Sequence, residues 1–160
     1  MVRHSTVHLL AFLLVTLAPW ADLARAQVPA TNDATAEDAF LDILPPLDLP
    51  EVVQPIPGAV NEAFRSCRTF WPAGYADAQT GPEARPLRDI YALVRVRNVI
   101  VTKDCTCPGK VANWSDVEAI ASALRRAKKS SQLNWRDTVE ISDEADRLTV
   151  FAETLCGGDF

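Results

Sequence analysis

The fold of this 160-residue chain has to accommodate four cysteines, two of which, Cys105 and Cys107, are separated by a single threonine. A bond between these two would close a very small, strained ring, because a disulfide tolerates only a narrow range of Cα separations and dihedral angles. In a small exported chain the default expectation for cysteines is disulfide bonding. We therefore expect Cys67 and Cys156 each to bond one member of the pair, and both pairings that satisfy this condition remain open.

Residues 1–26 have the three parts of a secretory signal peptide. Arg3 lies near the start, an apolar run occupies residues 9–18, and small alanines precede a predicted cleavage site after Ala26, with cleavage after Ala21 as the alternative. An uncleaved anchor is disfavoured, because the run has ten residues and a transmembrane helix needs about twenty. The sequence thus predicts an exported protein, periplasmic in a bacterium and otherwise secreted, with no transmembrane segment after cleavage.

Residues 27–58 form an acidic, proline-rich segment that we interpret as an extended arm. It contains six of the eleven prolines and no lysine or arginine, and it accounts for the whole net charge of −6 that is left after removal of residues 1–26. Proline disfavours both helices and central strands. The predicted partner-binding residues are the apolar side chains of the arm, Phe40, Leu41, Ile43, Leu44, Leu47, Leu49, Val52, Val53 and Ile56. Docking of this segment in a partner's groove and packing of the arm on its own domain remain equal alternatives.

Residues 59–160 are predicted to form a disulfide-stapled globular domain of α+β class. It is expected to be mainly helical, with about three helices and one or two short strands. Apolar side chains at intervals of four, three and four indicate a first helix, carried by Val60, Phe64, Cys67 and Trp71. Pro72 would end this helix. Glycines and prolines then predict a surface loop over residues 72–86.

Strands are predicted for residues 90–101, where apolar positions alternate and β-branched side chains are frequent. This stretch would form one long strand or two short ones. Residues 132–141 are ambiguous, because they fit either a short strand or an extension of the last helix. The helical interpretation is favoured there.

Two further helices are predicted from their end signals. Ser115 and Glu118 have the spacing of a capping box, in which each side chain satisfies a backbone donor at a helix start. This helix should cover about residues 116–129. The last helix is expected to have Ser142 as its N-cap and to end at Gly157, a residue suited to a left-handed cap.

Catalytic chemistry is limited by the residue inventory, because both histidines, His4 and His8, lie in the predicted leader. Without histidine, Ser-His-Asp and Cys-His catalysis and histidine-ligated metals are excluded. Four cysteines suffice in number for a zinc site, but the paired Cys-x-x-Cys spacing is absent. We therefore predict no catalytic residues, no metal site and no cofactor. The acidic arm disfavours nucleic acid as a partner, because it would repel phosphate.

Two alternatives to a simple binding protein remain. One is a periplasmic thiol–disulfide oxidoreductase acting through Cys105 and Cys107. Lys103 and Lys110 flank this pair and would stabilise a thiolate, whereas Asp104 would oppose it. The other is a secreted inhibitor or effector whose acidic arm occupies a basic groove, a mode of binding that would depend strongly on salt.

A resemblance to a known class of proteins covers roughly residues 98–130. The signal peptide, the acidic arm and residues 104–110, with the sequence DCTCPGK, followed by Trp114 and a capped helix, resemble small accessory proteins of bacterial conjugation and type IV secretion clusters. The resemblance implies a periplasmic, non-enzymatic assembly component or a pilus-associated one. The favoured prediction is therefore an exported protein-binding or assembly component of a cell-envelope or extracellular complex.

Overall fold

The computed structural model describes residues 44–160, and all regular secondary structure in that range is helical. The α-helices are α1 (Asp77–Thr80), α2 (Ala84–Thr102), α3 (Cys107–Lys110), α4 (Trp114–Lys128) and α5 (Val139–Cys156). Short 3-10 turns occupy Phe64–Ser66, Arg68–Phe70, Ala73–Ala76 and Trp135–Thr138. The mainly helical prediction is confirmed, and the predicted loop over residues 72–86 contains a 3-10 turn, α1 and the start of α2. The predicted signal peptide and the predicted partner-binding residues Phe40, Leu41 and Ile43 lie outside the described residues.

Helix α2 is the central element, and it replaces the strands predicted for residues 90–101. Every residue from 89 to 100 is at least partly buried, since α4, α5 and the shorter elements pack around this helix. The polar residues of this stretch, Asp89, Arg95, Arg97 and Asn98, are themselves at least partly buried, so the helix has no fully exposed polar face there. The strand prediction was wrong because β-branched residues fill this buried helix.

Helix α4 runs antiparallel to α2, because Arg125 in its last turn forms an ion pair with Glu83, immediately before α2 begins. The helix predicted over residues 116–129 is confirmed, since α4 covers nearly the same stretch. Its predicted cap is wrong. The side chain of Asn113, rather than that of Ser115, is the N-cap, and it accepts the backbone N–H of Ser115 at 3.2 Å. Asn113 takes this role because it is the last residue with extended backbone before the helix.

Helix α5 runs parallel to α2. Near their starts the hydroxyl of Thr138 lies 2.7 Å from the carboxylate of Asp89, and at the other end Cys156, the last residue of α5, is bonded to Cys105, which lies just after α2. The long helices therefore form an up-down-up bundle, in which α2 contacts both of the others. The predicted end of α5 is confirmed, because Gly157 adopts the left-handed conformation with φ of 74°.

The start of α5 differs from the prediction. The helix begins at Val139, three residues before the predicted cap Ser142. It is preceded by a 3-10 turn whose N-cap, Asn134, forms a capping box with Asp137. The favoured helical interpretation of residues 132–141 is confirmed for the part from 135 onwards. None of the helices within residues 44–160 has the length and the apolar composition needed to cross a membrane.

The first predicted helix, over residues 60–71, is wrong. Two 3-10 turns occupy this stretch, separated by the fully buried Cys67, which is bonded to Cys107. The rings of Phe64 and Trp71 stack with 5.2 Å between their centroids. The apolar spacing that suggested a helix therefore comes from side chains that a disulfide and an aromatic cluster hold against the bundle.

The described part of the arm, residues 44–58, has no helix or strand and lies against its own domain. The partly buried side chains of Leu44, Leu47, Leu49 and Ile56 pack on the core. Two hydrogen bonds anchor its ends to the bundle. Arg97 of α2 donates to the carbonyl oxygen of Pro45 at 2.6 Å, and the N–H of Ile56 donates to the carbonyl oxygen of Leu155 at 2.9 Å.

Candidate functional site

A groove lies between the arm and the C-terminal halves of α2 and α5. We call it the arm groove, and its volume is about 400 Å³. The arm supplies one wall with Asp48, Leu49, Pro50, Val52, Val53 and Gln54. The other wall consists of Ile100 in α2, Lys103 just after α2, and Phe151 and Leu155 in α5. The parallel arrangement of α2 and α5 creates this wall, because it brings residues about fifty positions apart in sequence to the same end of the bundle.

The arm groove is apolar inside and acidic along the arm. The side chain of Val52 is 67% exposed, and two more valines, Val101 and Val150, are 66% and 65% exposed next in sequence to groove residues. Asp48 and Glu51 are exposed on the arm, and residues 44–64 contain no lysine or arginine. The acidic side chains of the arm complement an apolar segment that carries positive charge on the side facing the arm, whereas Lys103 places one positive charge on the opposite wall.

The predicted partner-binding residues fall into three groups. Leu49, Val52 and Val53 line the arm groove. Leu44, Leu47 and Ile56 are partly buried against the core and hold the arm in place. The remaining three, Phe40, Leu41 and Ile43, precede the described residues. The helical wall was not identified from the sequence, because Ile100 and Phe151 belong to helices whose neighbourhood only the tertiary fold determines.

The four cysteines form two buried disulfides, Cys67–Cys107 and Cys105–Cys156, with Cα separations of 5.2 and 5.7 Å. The prediction that Cys67 and Cys156 each bond one member of the central pair is confirmed. No cysteine side chain is more than 4% exposed. Thiol–disulfide exchange requires a thiolate or a sulfur that a partner thiolate can reach, and this arrangement presents neither on the surface. Within residues 44–160, no group of three His, Cys, Asp or Glu side chains is placed to hold a metal ion.

An aromatic cluster fills the side of the bundle formed by the 3-10 turns. The ring of Tyr75 lies 4.8 Å from that of Trp71 and 4.5 Å from that of Tyr91, centroid to centroid. The indole of Trp114 covers Gly74 so closely that a β-carbon at that position would collide with Nε1. Burial raises the pKa of Tyr91 to about 12, and its hydroxyl oxygen accepts the N–H of Ala112 at 3.3 Å.

Two cations lie at the edge of this cluster. Sequence reasoning considered Lys110 only as a neighbour of the cysteine pair and did not identify Arg95. The guanidinium carbon of Arg95 is 4.2 Å from the centroid of Phe64 and 4.3 Å from that of Phe160. The ammonium of Lys110 is 4.8 Å from the centroid of Phe160 and donates to Oδ1 of Asn61 at 2.5 Å. Burial lowers the pKa of Arg95 to about 10, and burial together with the charge of Arg95 lowers the pKa of Lys110.

No protein-family model, curated protein or solved structure matches this chain significantly.

Proposed function

We propose that this protein is an exported, non-enzymatic binding component of a cell-envelope or extracellular assembly, and that it captures a partner protein in the arm groove. The observation that carries the proposal is the apolar interior of that groove, with Val52 exposed at its mouth. Burying one valine contributes about 1.5 kcal/mol or more, and several side chains of this size would supply a useful binding energy. The occupant is an apolar segment of a partner protein flanked by lysine or arginine, which would pair with Asp48 and Glu51.

The rigidity of the groove supports this proposal. The Cys105–Cys156 disulfide ties α5 to the chain just beyond α2, and the bond from Ile56 to Leu155 fixes the arm on the same end of the bundle. A wall that is already ordered loses little conformational entropy when a partner binds. Disulfides are also the form of stabilisation that suits an oxidising compartment outside the cytoplasm.

A finer proposal concerns the kind of assembly. The DCTCPGK motif with the following Trp114 and capped helix resembles accessory proteins of conjugation and type IV secretion clusters, and we propose a component of such a complex. Asp104 supports a structural role for the motif, since its carboxylate accepts the N–H of Thr106 at 2.9 Å just before α3. A motif that orders its own backbone in this way positions the two disulfides.

The test is site-specific photo-crosslinking in the producing cell, with the photoreactive residue at Val52 or, as the matched control, at Val60. Val60 is 65% exposed and lies outside the arm groove. A partner that crosslinks from position 52 but not from 60 is then purified and its affinity measured for three forms of the protein. We expect Val52→Glu to weaken binding by tenfold or more and Val60→Glu to leave it unchanged.

Three outcomes would contradict the proposal. Equal crosslinking from both positions would show that the groove has no specific occupant. An adduct of two copies of this chain would show that the groove is a self-association surface. A partner without an apolar segment, whose binding falls steeply with salt and is indifferent to Val52→Glu, would favour an inhibitor or effector that uses its acidic charge.

A further inference from the structure

Within the described part of the chain, the partly buried Arg95 and the fully buried Lys110 have no carboxylate at ion-pair distance, although the negative charge of Glu62 acts on Lys110 from farther away. Neither forms an ion pair with a carboxylate of residues 44–160, where the ion pairs involve other residues. Nη1 of Arg95 is buried and has no hydrogen-bond partner. Lys110 is fully buried, and its ammonium donates to the neutral amide of Asn61. Burying two like charges without a directly paired carboxylate is unfavourable, and an anion that contacts both would relieve that cost.

The ring of Phe160 covers both cations and is held by a short strap. Residues 157–159 are exposed, and Gly157 and Gly158 give this strap a backbone with few steric restrictions. Asn61 fixes the strap to the slot, because its Nδ2 donates to the carbonyl oxygen of Asp159 at 3.0 Å while its Oδ1 accepts from Lys110. The strap leads to Phe160, whose ring occupies a slot between Arg95, Lys110 and the core.

We propose that the slot formed by Phe64, Arg95 and Lys110 is a binding site for an aromatic carboxylate, and that Phe160 is its displaceable internal occupant. The aromatic part of the ligand takes the place of the Phe160 ring over the guanidinium, where a cation–π contact stabilises it. The carboxylate of the ligand pairs with the ammonium of Lys110 and with the unpartnered Nη1 of Arg95. This site is separate from the arm groove in its residues and chemistry, and it does not depend on the proposed function.

The test measures the binding of N-acetylphenylalanine by calorimetry to the wild type and to Phe160→Ala. Removal of the internal competitor should tighten binding by tenfold or more. N-acetylphenylalanine amide, which has the same ring but no carboxylate, should bind Phe160→Ala at least tenfold more weakly than the acid does. Phe70→Ala is the matched control, because Phe70 is an exposed phenylalanine outside the slot, and its affinity should equal that of the wild type.

A second pair of ligands distinguishes the two sources of such a group. If 3-phenylpropionate and an acetylated tetrapeptide ending in phenylalanine bind Phe160→Ala equally, the site takes a free aromatic acid. If the tetrapeptide binds tenfold more tightly, the site takes the end of a polypeptide.

The proposal would be overturned if Phe160→Ala bound the acid no better than the wild type, or if it bound the acid and the amide equally. Arg95→Met in the Phe160→Ala background should abolish binding of the acid. Circular dichroism and thermal unfolding establish that each variant is folded. If the Arg95 variant fails to fold, the comparison of acid with amide still decides the question.

Discussion

The hydroxyl of Thr138 donates a 2.7 Å hydrogen bond to the carboxylate of Asp89, and both residues are buried where α5 begins beside α2. The other oxygen of Asp89 accepts from Arg85 at 3.1 Å. The Thr138–Asp89 bond joins the two parallel helices at one end. At the other end, the Cys105–Cys156 disulfide links the last residue of α5 to the chain just after α2. The register between α2 and α5, and with it the helical wall of the arm groove, depends on these two connections.

Replacing Thr138 by valine should reduce the free energy of unfolding by about 1–3 kcal/mol, because the change leaves a buried carboxylate oxygen without its donor. Urea unfolding measures the loss. Thr154→Val is the matched control, since Thr154 is exposed and its hydroxyl bonds only to the carbonyl oxygen of Val150 in its own helix. That control should change stability by less than about 0.5 kcal/mol. A similar loss in both variants would mean that the Thr138–Asp89 bond contributes nothing specific.

The disulfide pairing predicts how many thiols each double variant leaves free. The double variant Cys67→Ala/Cys107→Ala lacks the whole Cys67–Cys107 disulfide, so alkylation before reduction should detect no free thiol. Cys67→Ala with Cys105→Ala breaks both bonds and should expose two. Intact mass after alkylation gives the count. The opposite result, two thiols in the first variant and none in the second, would assign the alternative pairing.

Loss of either disulfide should lower the free energy of unfolding by about 4 kcal/mol in the chain-entropy description. The two bonds span 40 and 51 residues, and the entropic contribution changes little between these lengths. Urea unfolding of the Cys67/Cys107 and Cys105/Cys156 double alanine variants measures each contribution. A loss confined to one of the two variants would contradict the expectation that both bonds constrain the unfolded chain.

The Glu83–Arg125 pair predicts a stability contribution that disappears in acid. The hydrogen bonds from Arg125 hold the pKa of the Glu83 carboxyl below its usual value of 4.5. A carboxyl whose pKa is lower in the folded state stabilises the fold at pH values above its unfolded pKa, and this stabilisation is lost as the pH falls through the folded pKa. Glu83→Gln should therefore cost about 1–3 kcal/mol at pH 7, and the difference from the wild type should shrink towards pH 3.

Urea unfolding at both pH values tests this prediction, with Glu51→Gln in the exposed arm as the control. Glu83 also accepts the backbone N–H of Leu133 at 2.5 Å, so it connects the start of α2 to the loop before α5 as well as to α4. A stability difference between the wild type and Glu83→Gln that is the same at pH 3 and pH 7 would show that charge on Glu83 is not its cause.

Tyr91 should ionise only near pH 12, because burial disfavours its charged form. The folded-state pKa lies above the unfolded value of 10, so the associated stability is complete below pH 10 and is lost as the pH rises towards 12. Absorbance at the phenolate band should show a late transition that Tyr91→Phe removes and Tyr75→Phe leaves in place. A single transition near pH 10 for both tyrosines in the folded protein would contradict the buried position of Tyr91.

The candidate groove was half predictable from the sequence. Leu49, Val52 and Val53 were identified because apolar side chains among prolines and acidic residues are unusual in a solvated linker. The opposite wall was not, because Ile100 and Phe151 look like ordinary helix or strand residues until the two helices are placed side by side. The slot around Arg95 was not predicted, since Phe64, Arg95 and Lys110 come from three separate segments and their occupant Phe160 from a fourth, and no local pattern links them.

The local chemistry of the sequence was sufficient to predict some features of this protein. The short span between Cys105 and Cys107 excludes a bond between them whatever the fold, and Gly157 ends α5 because glycine alone enters the left-handed conformation without strain. The choice between the two disulfide pairings depends on the tertiary structure, because the parallel course of α5 and α2 brings Cys156 next to Cys105. The helical state of α2 was decided in the same way. The packing of α2 against α4, α5 and the shorter elements buries its apolar side chains, and this burial outweighs the weak local preference of valine and isoleucine for strands.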